Sequence, residues 1–188
     1  MDEHDIEPAQ FLVDNVDLLP RGQVLDVAMG NGRNSIYLAK LGFSVAGVDI
    51  SKEAVSTALR LAQETDLDIK AEVVDLEKYR IAKESYEVII CFNYLQRSLV
   101  PYIKDGLKKG GMVVYETFIV DQAQFKKPKN PDYLLRHNEL LDMFSDFRCL
   151  RYREGIIKGA KAIASIIAQK PQTSCINPLP VGHNNPVY

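Results

Sequence analysis

Long apolar runs are missing from this sequence. No stretch of the 188 residues reaches the roughly 18 consecutive apolar positions that a membrane span needs. The N-terminal MDEHDIEPAQ is acidic and polar, without the basic and then apolar regions of a secretory signal. Cysteine is scarce. Cys91, Cys149 and Cys175 lie far apart, no CxxC occurs, and the three histidines are scattered. A disulfide framework and a structural zinc site are therefore not expected, nor is any other metal. A reduced, cytoplasmic compartment is expected instead. Charge of one sign is lacking too, with 23 basic against 25 acidic residues and a net charge of -2. Neither nucleic acid nor an anionic membrane is an expected partner. The short basic run KKPK, Lys126 to Lys129, reads as a solvated loop.

What is present is an alternation of short apolar runs and amphipathic stretches. The composition, 46% hydrophobic and 26% charged, is that of a globular domain with a sizeable core. A leading helix is expected over Pro8 to Leu19, with Phe11, Leu12, Val16 and Leu19 on one face. Strands are expected at QVLDVAM, SVAGVDI, DIKAEVVD, YEVIICFN and MVVYETF. Between them, NSIYLAKLG reads as a helix stopped by Gly42. SKEAVSTALRLAQET reads as a helix capped by Ser51, with Ala54, Ala58, Leu61 and Ala62 as its apolar stripe. LVPYIKDGLKKGG reads as a further helix with a Gly-Gly exit. Strands joined by crossover helices predict a parallel sheet covered on both faces.

After Phe118 the period is lost, and Ile119 to His137 reads as a long surface excursion. NELLDMFSDF follows as a helix with Asn138 as its cap. RCLRYREGI and KAIASIIAQK are joined at IKGAK and predict a closing antiparallel hairpin. One domain is expected over residues 1–170. Residues 171–188, with Pro171, Pro178, Pro180 and Pro186, are expected to form an extended tail. No internal repeat is found.

The stretch LDVAMGNGRN, Leu25 to Asn34, carries the functional argument. A glycine loop between a strand and a helix lets a ligand approach the backbone. The helix start behind it offers free N–H groups. A plain strand-to-helix turn is the bland alternative. No lysine follows the last glycine, so the loop is not a triphosphate-binding P-loop. Two carboxylates lie at the ends of the following strands. Asp49 suits the hydroxyls of a ribose, or else caps a helix. Asp75 suits an adenine amino group, or else is a solvated turn residue.

An NAD fingerprint requires Gly or Ala where Ser35 stands. The alternation runs back through Ala28 to Asp26. An acid there repels a pyrophosphate and attracts a cation, which favours S-adenosylmethionine with its ammonium and sulfonium.

With these motifs the sequence resembles the class I S-adenosylmethionine-dependent methyltransferases. VLDVAMGNGR, VAGVDIS, AEVVDLE, YEVIICFN and LKKGGMVVYE occur in the order of that class. Within it, GNGRNSIYLAKLGFSVAGVDIS is similar to the tellurite-resistance methyltransferase group. The resemblance implies a three-layer α/β Rossmann-like sandwich, with a mostly parallel seven-stranded sheet and a C-terminal antiparallel hairpin. It implies that Asp26 holds the methionine end and that Ala28, Gly30, Asn31 and Gly32 line the loop. Asp49 would take the ribose hydroxyls, with Ile50 packing on the adenine. Asp75 would bind the adenine amino group with Leu76 beside it, and Asn93 would sit near the methyl donor. Ala28 stands where the family more commonly has glycine.

Methyl transfer from a sulfonium needs alignment more than acid–base chemistry. A neutral acceptor would add the need for a base. Tyr94, Arg97, Tyr133, Arg136 and His137 are the candidates on the substrate side, each with an ordinary structural alternative. Arg97 and Arg136 would suit a small oxyanion such as tellurite or selenite. The expected partner is a small-molecule acceptor, either such an oxyanion or a small metabolite. Two other readings stand beside this one. They are a non-catalytic S-adenosylmethionine-binding protein acting through a partner and an NAD-dependent oxidoreductase, the latter disfavoured by Asp26. Cys91 is expected in the core and Cys175 is incidental.

Overall fold

Seven strands form one sheet in the order β3-β2-β1-β4-β5-β7-β6. The structure, a computed structural model, describes residues 7–125, 127–157 and 161–172. The strands are β1 (Gln23–Val27), β2 (Ser44–Asp49), β3 (Ile69–Val73), β4 (Tyr86–Phe92), β5 (Leu107–Phe118), β6 (Arg148–Ile157) and β7 (Lys161–Gln169). The helices are α1 (Gln10–Val13), α2 (Arg33–Lys40), α3 (Lys52–Glu64), α4 (Val100–Gly106) and α5 (Glu139–Met143). The first five strands pair in parallel, while β7 runs antiparallel to both β5 and β6. The expected three-layer fold and its closing hairpin are thus both present. The turn between β6 and β7 falls partly outside the described residues, as does the expected tail from residue 173 on.

Side chains alternate across the sheet and divide the core in two. Val24, Val88, Ile90 and Val114 face α1, α2 and α3, where Leu12, Leu38 and Ala58 meet them. Leu25, Ile89, Val113 and Tyr115 face α4 and α5, where Ile103, Leu140 and Phe144 pack. The continuous apolar run of β4 is explained by this, since both of its faces are covered.

Several boundaries differ from expectation. The leading helix is a single turn, α1, followed by a 3-10 turn at Val16–Leu18. The helix expected to run to Gly111 ends at Gly106, and Leu107 already pairs with Tyr86 in β5. The two glycines instead serve a register shift opposite Tyr86 and Val88. Gly110 has φ +77°, and a Cβ on Gly111 would lie 3.0 Å from the Glu87 carbonyl oxygen. The buried face of α3 is Val55, Ala58 and Ala62, with Ala54 and Leu61 only half-buried. Ser51 caps α3 as expected, its hydroxyl accepting from the Ala54 N–H.

The excursion after Phe118 is more anchored than its polarity suggested. Ile119 bridges to Leu135, and Ile119, Leu134 and Leu135 are all buried. Asn138 precedes α5 in a left-handed conformation and makes no side-chain cap. Its backbone N–H donates to Glu154 Oε2 instead.

Candidate functional site

The sheet order places β1 between β2 and β4, so the chain leaves β1 in opposite directions on its two sides. Ligands of open α/β sheets bind outside the strand C-termini at such a point. A cavity of about 320 Å³ opens there. Asp26, Ala28, Met29, Gly30 and Asn31 line it from β1 and the loop beyond. Arg33 and Asn34 line it from α2, and Phe92, Asn93 and Tyr94 from the end of β4.

The loop bends through a run of positive φ angles: Ala28 at 56°, Gly30 at 55° and Gly32 at 77°. Ala28 therefore occupies a conformation that suits glycine, which accounts for the residue type more usual there. The two glycines do different work. An added Cβ at Gly30 would meet nothing within 4 Å, so its face is open to a ligand. At Gly32 it would lie 2.7 Å from the Ala58 Cβ, so this glycine lets α2 lie close against α3.

Asp26 is the buried carboxyl of the cavity wall, at 2% exposure. The Ser35 hydroxyl donates to its Oδ2 at 2.7 Å. Burial nevertheless pushes the carboxyl up to about 7, against the pull of Ser35 and the positive charge of Arg33. A bound cation beside it would restore the ionised form. This is the chemistry expected of a group that receives an ammonium.

Asp49 ties the loop to the next strand. Its Oδ2 accepts from the Gly30 N–H at 2.8 Å and its Oδ1 from the Ser51 N–H at 2.9 Å. Each oxygen keeps a further acceptor position for a ribose hydroxyl. Ile50 is 69% exposed, an unusual placement for a branched aliphatic side chain and one that suits a flat ligand laid over it. Asp75 lies beyond the end of β3 in a turn, accepting from the Glu77 N–H at 3.0 Å and pairing with Lys78 at 3.1 Å. The bond from Lys78 holds its carboxyl below the usual carboxylate range. Leu76 is buried beside it.

Of the sequence candidates, the cavity brings together Asp26, Ala28, Gly30, Asn31, Asn93 and Tyr94. Gly32, Asp49, Ile50, Asp75 and Leu76 are not among its lining residues, and neither are Arg97, Tyr133, Arg136 and His137. Arg97 is spent on a structural task. Its Nε and Nη2 grip the Glu139 carboxylate at 2.6 and 3.1 Å. Its Nη1 and Nη2 also donate to the carbonyls of Asp132 and Leu134. Arg136 lies 3.5 Å from the same carboxylate, and His137 pairs with Asp121 at 2.5 Å. Tyr133 is 58% exposed.

Met29, Arg33, Asn34 and Phe92 also line the cavity, although sequence motifs alone point to no role for them. Asn34 had a signal in the GNGRN run. It is buried, and its side-chain oxygen accepts from the Ala9 N–H at 2.9 Å, fixing the N-terminal segment beside the cavity. Met29 had none, because its role depends on Gly47 of β2. A Cβ on Gly47 would lie 2.1 Å from the Met29 sulfur.

Comparison with known proteins agrees with this geometry. The family model described as "Tellurite resistance protein TehB" matches residues 6–165. A "Probable S-adenosyl-L-methionine-dependent methyltransferase TehB" of Haemophilus influenzae is 26% identical over 153 residues, covering 77% of this chain and 52% of that protein. A "Ubiquinone biosynthesis O-methyltransferase" of Colwellia psychrerythraea is 27% identical over 132 residues, covering 61% of this chain and 54% of the relative. The chain thus spans about half the length of these curated relatives. The crystal structure of TehB from Haemophilus influenzae superposes with a TM-score of 0.74 at 23% identity, covering 86% of this chain and 62% of that one. The chain belongs to the family of the tellurite resistance protein TehB.

Proposed function

We propose that the protein is an S-adenosylmethionine-dependent methyltransferase acting on a small molecule that is already anionic when it reacts. One observation carries the cofactor reading: β1 brings a buried carboxyl, Asp26, to the cavity wall just before the glycine loop. A pyrophosphate there would meet a negative charge, whereas an ammonium would meet a partner. The open face of Gly30 and the exposed Ile50 fit the same ligand.

Bound in this cavity, S-adenosylmethionine supplies a methyl group already activated by its sulfonium. The chain's own residues hold and orient. Asp26 receives the ammonium. Asp49 accepts from the ribose hydroxyls, and Ile50, Asp75 and Leu76 surround the adenine. Asn93 stands at the donor end with a φ of 57°, its backbone N–H held by the Glu116 carbonyl at 2.8 Å.

The acceptor class follows from which protons the cavity can take. Asp26, Arg33 and Tyr94 are its titratable lining residues. Asp26 is occupied by the ammonium. The Tyr94 hydroxyl donates to Gln96 Oε1 at 2.7 Å, and burial raises its phenol above the ordinary value, so it keeps its proton. None of these serves as a base for a neutral hydroxyl. A nucleophile that arrives ionised needs no base. A selenite-like or tellurite-like oxyanion, or a small thiolate, meets that condition.

Calorimetry with S-adenosylmethionine, S-adenosylhomocysteine and NAD tests the first half. Binding of the two sulfur compounds is expected, and binding of NAD alone would reverse the reading. Labelled methyl transfer to selenite, tellurite and small thiols, with neutral alcohols as controls, tests the second. Cofactor binding without transfer to any acceptor would favour a non-catalytic binding protein.

A further inference from the structure

A charged cluster lies beside the donor cavity with no part in the cofactor site. Glu116 interrupts the apolar run of β5 and is buried at 8% exposure. It lies in register with Phe92 of β4 on one side and Ser165 of β7 on the other, and Ser165 is in turn in register with Arg153 of β6. All four stand near the C-terminal ends of the parallel strands. They also share a face of the sheet, since Val114 and Ile167, two residues from Glu116 and Ser165, pack in the same cluster as Phe92. Asp26 points to this face as well, two residues beyond Val24.

Arg153 does not extend outward from its strand. It folds back across the sheet toward β5, its Nε donating to the Ser165 hydroxyl oxygen at 3.1 Å and its Nη2 to Glu116 Oε2 at 3.0 Å, next to the cavity wall rather than in it. Its guanidinium therefore sits over Ser165 and Glu116. Glu116 is one strand spacing, about 4.8 Å, from Phe92, which lines the cavity. The Phe11 ring stacks on the guanidinium at 4.7 Å. Two residues before Phe11, Ala9 is bonded to the cavity residue Asn34, so one short segment adjoins both places.

The guanidinium has donors to spare. Among the described residues, Nη1 donates to none, and the side chain is 35% exposed. The Ser165 hydroxyl donates to Glu116 Oε2 at 2.7 Å, which fixes the carboxylate and through it the plane of the fork. A planar cation held from behind, with one edge open, is suited to a carboxylate or oxyanion.

We propose that Arg153, oriented by Glu116 and Ser165 and flanked by Phe11, binds the anionic group of the methyl acceptor. This deepens the anionic-acceptor reading above and rests on it. The cluster is close to neutral because Glu116 balances Arg153, so selectivity comes from directed hydrogen bonds rather than from bulk attraction. Arg97 and Arg136, the cations first considered for this task, are engaged with Glu139.

The test uses selenite and benzoate as probes, titrated by calorimetry into the full chain with and without saturating S-adenosylhomocysteine. At least one probe is expected to bind the wild-type protein. Arg153→Gln should weaken that binding tenfold or more while changing S-adenosylhomocysteine affinity less than twofold. Arg153→Lys, which keeps the charge and loses the fork, should fall between the two. Failure of both probes to bind the wild type would overturn the proposal, as would equal binding to Arg153→Gln. A parallel loss of S-adenosylhomocysteine affinity in both variants would mark Arg153 as structural and overturn it too. If the wild type does not bind S-adenosylhomocysteine, the cofactor reading fails instead, and the titrations without it still decide Arg153.

Discussion

Gly30 donates its backbone N–H to the Oδ2 of Asp49 at 2.8 Å. The bond joins the loop after β1 to the end of β2, two segments that a bound nucleoside would also have to bridge. The carboxylate is thus aimed by the loop it serves. Asp49→Ala should weaken S-adenosylhomocysteine binding about 10- to 100-fold, on the order of 1.5–3 kcal/mol for a charged hydrogen bond. It should also lower the melting temperature of the free protein, because the N–H groups of Gly30 and Ser51 lose their acceptor. Unchanged affinity by calorimetry would mean that the ribose lies elsewhere.

Asp26 sets activity against stability. Its carboxyl titrates near 7 in the folded chain, against an ordinary 3.8. A folded value raised in this way means that the native state binds the extra proton between about pH 4 and 7. Stability from this group therefore falls as pH rises through that window. Asp26→Asn should stabilise the free protein at pH 8 by on the order of 1–3 kcal/mol in urea unfolding, with a smaller gain at pH 5. The same variant should lose cofactor affinity. In the wild type, affinity should rise from pH 6 to 8 as Asp26 ionises.

Two left-handed positions of the loop, Ala28 and Gly32, should respond in opposite ways to substitution. Ala28→Gly removes left-handed strain of about 1–2 kcal/mol and adds about 0.5–1 kcal/mol of unfolded-chain entropy. A net gain of about 0.5–1 kcal/mol is expected in denaturant unfolding. Gly32→Ala places a methyl group 2.7 Å from the Ala58 Cβ at a φ of +77°. It should cost about 1–3 kcal/mol and weaken cofactor binding, because α2 must move away from α3.

Glu139 anchors the segment after β5. The Arg97 guanidinium holds its carboxyl down at about 2, against the opposing effect of burial. A depressed folded value contributes stability above the ordinary 4.5, lost as pH falls toward 2. Glu139→Gln should cost about 2–3 kcal/mol, less than a fully buried pair because Arg97 is 42% exposed. The loss should shrink in acid, as urea unfolding at pH 7 and pH 3 would show.

His137 should titrate above its ordinary 6.5, because the Asp121 carboxylate accepts from its ring. Proton NMR of the imidazole would follow this directly. Asp121→Asn should bring the midpoint down, and no change in that variant would show that the pair does not form in solution.

The glycine turn between β1 and α2 was legible in the sequence because its determinants are local. Asp26, Gly30 and Gly32 lie within one strand-to-helix turn, and Asp49 closes the next strand. The hairpin was legible for the same reason, two apolar runs a few residues apart. The start of β5 was not. Whether LKKGG continues a helix or begins a strand is decided by Tyr86, which offers Leu107 a pairing partner from β4. The pairing of Arg97 was not legible on similar grounds. Arg97 looked available because Glu139, its partner, is distant in sequence. The orientation of Arg153 was not legible either, because it depends on Ser165 and Glu116 of two other strands. Even so, a lone glutamate in the apolar run MVVYETF was a visible anomaly, and the register shows what it accommodates.

The grip of Arg97 also bears on the order of folding. From the turn after β4 it reaches Asp132, Leu134 and Glu139, all 35 or more residues away along the chain. These contacts reward the chain only after the loop-closure entropy between them has been met. Arg97 therefore closes one long loop of the chain on itself, joining the turn after β4 to the segment that leads into α5.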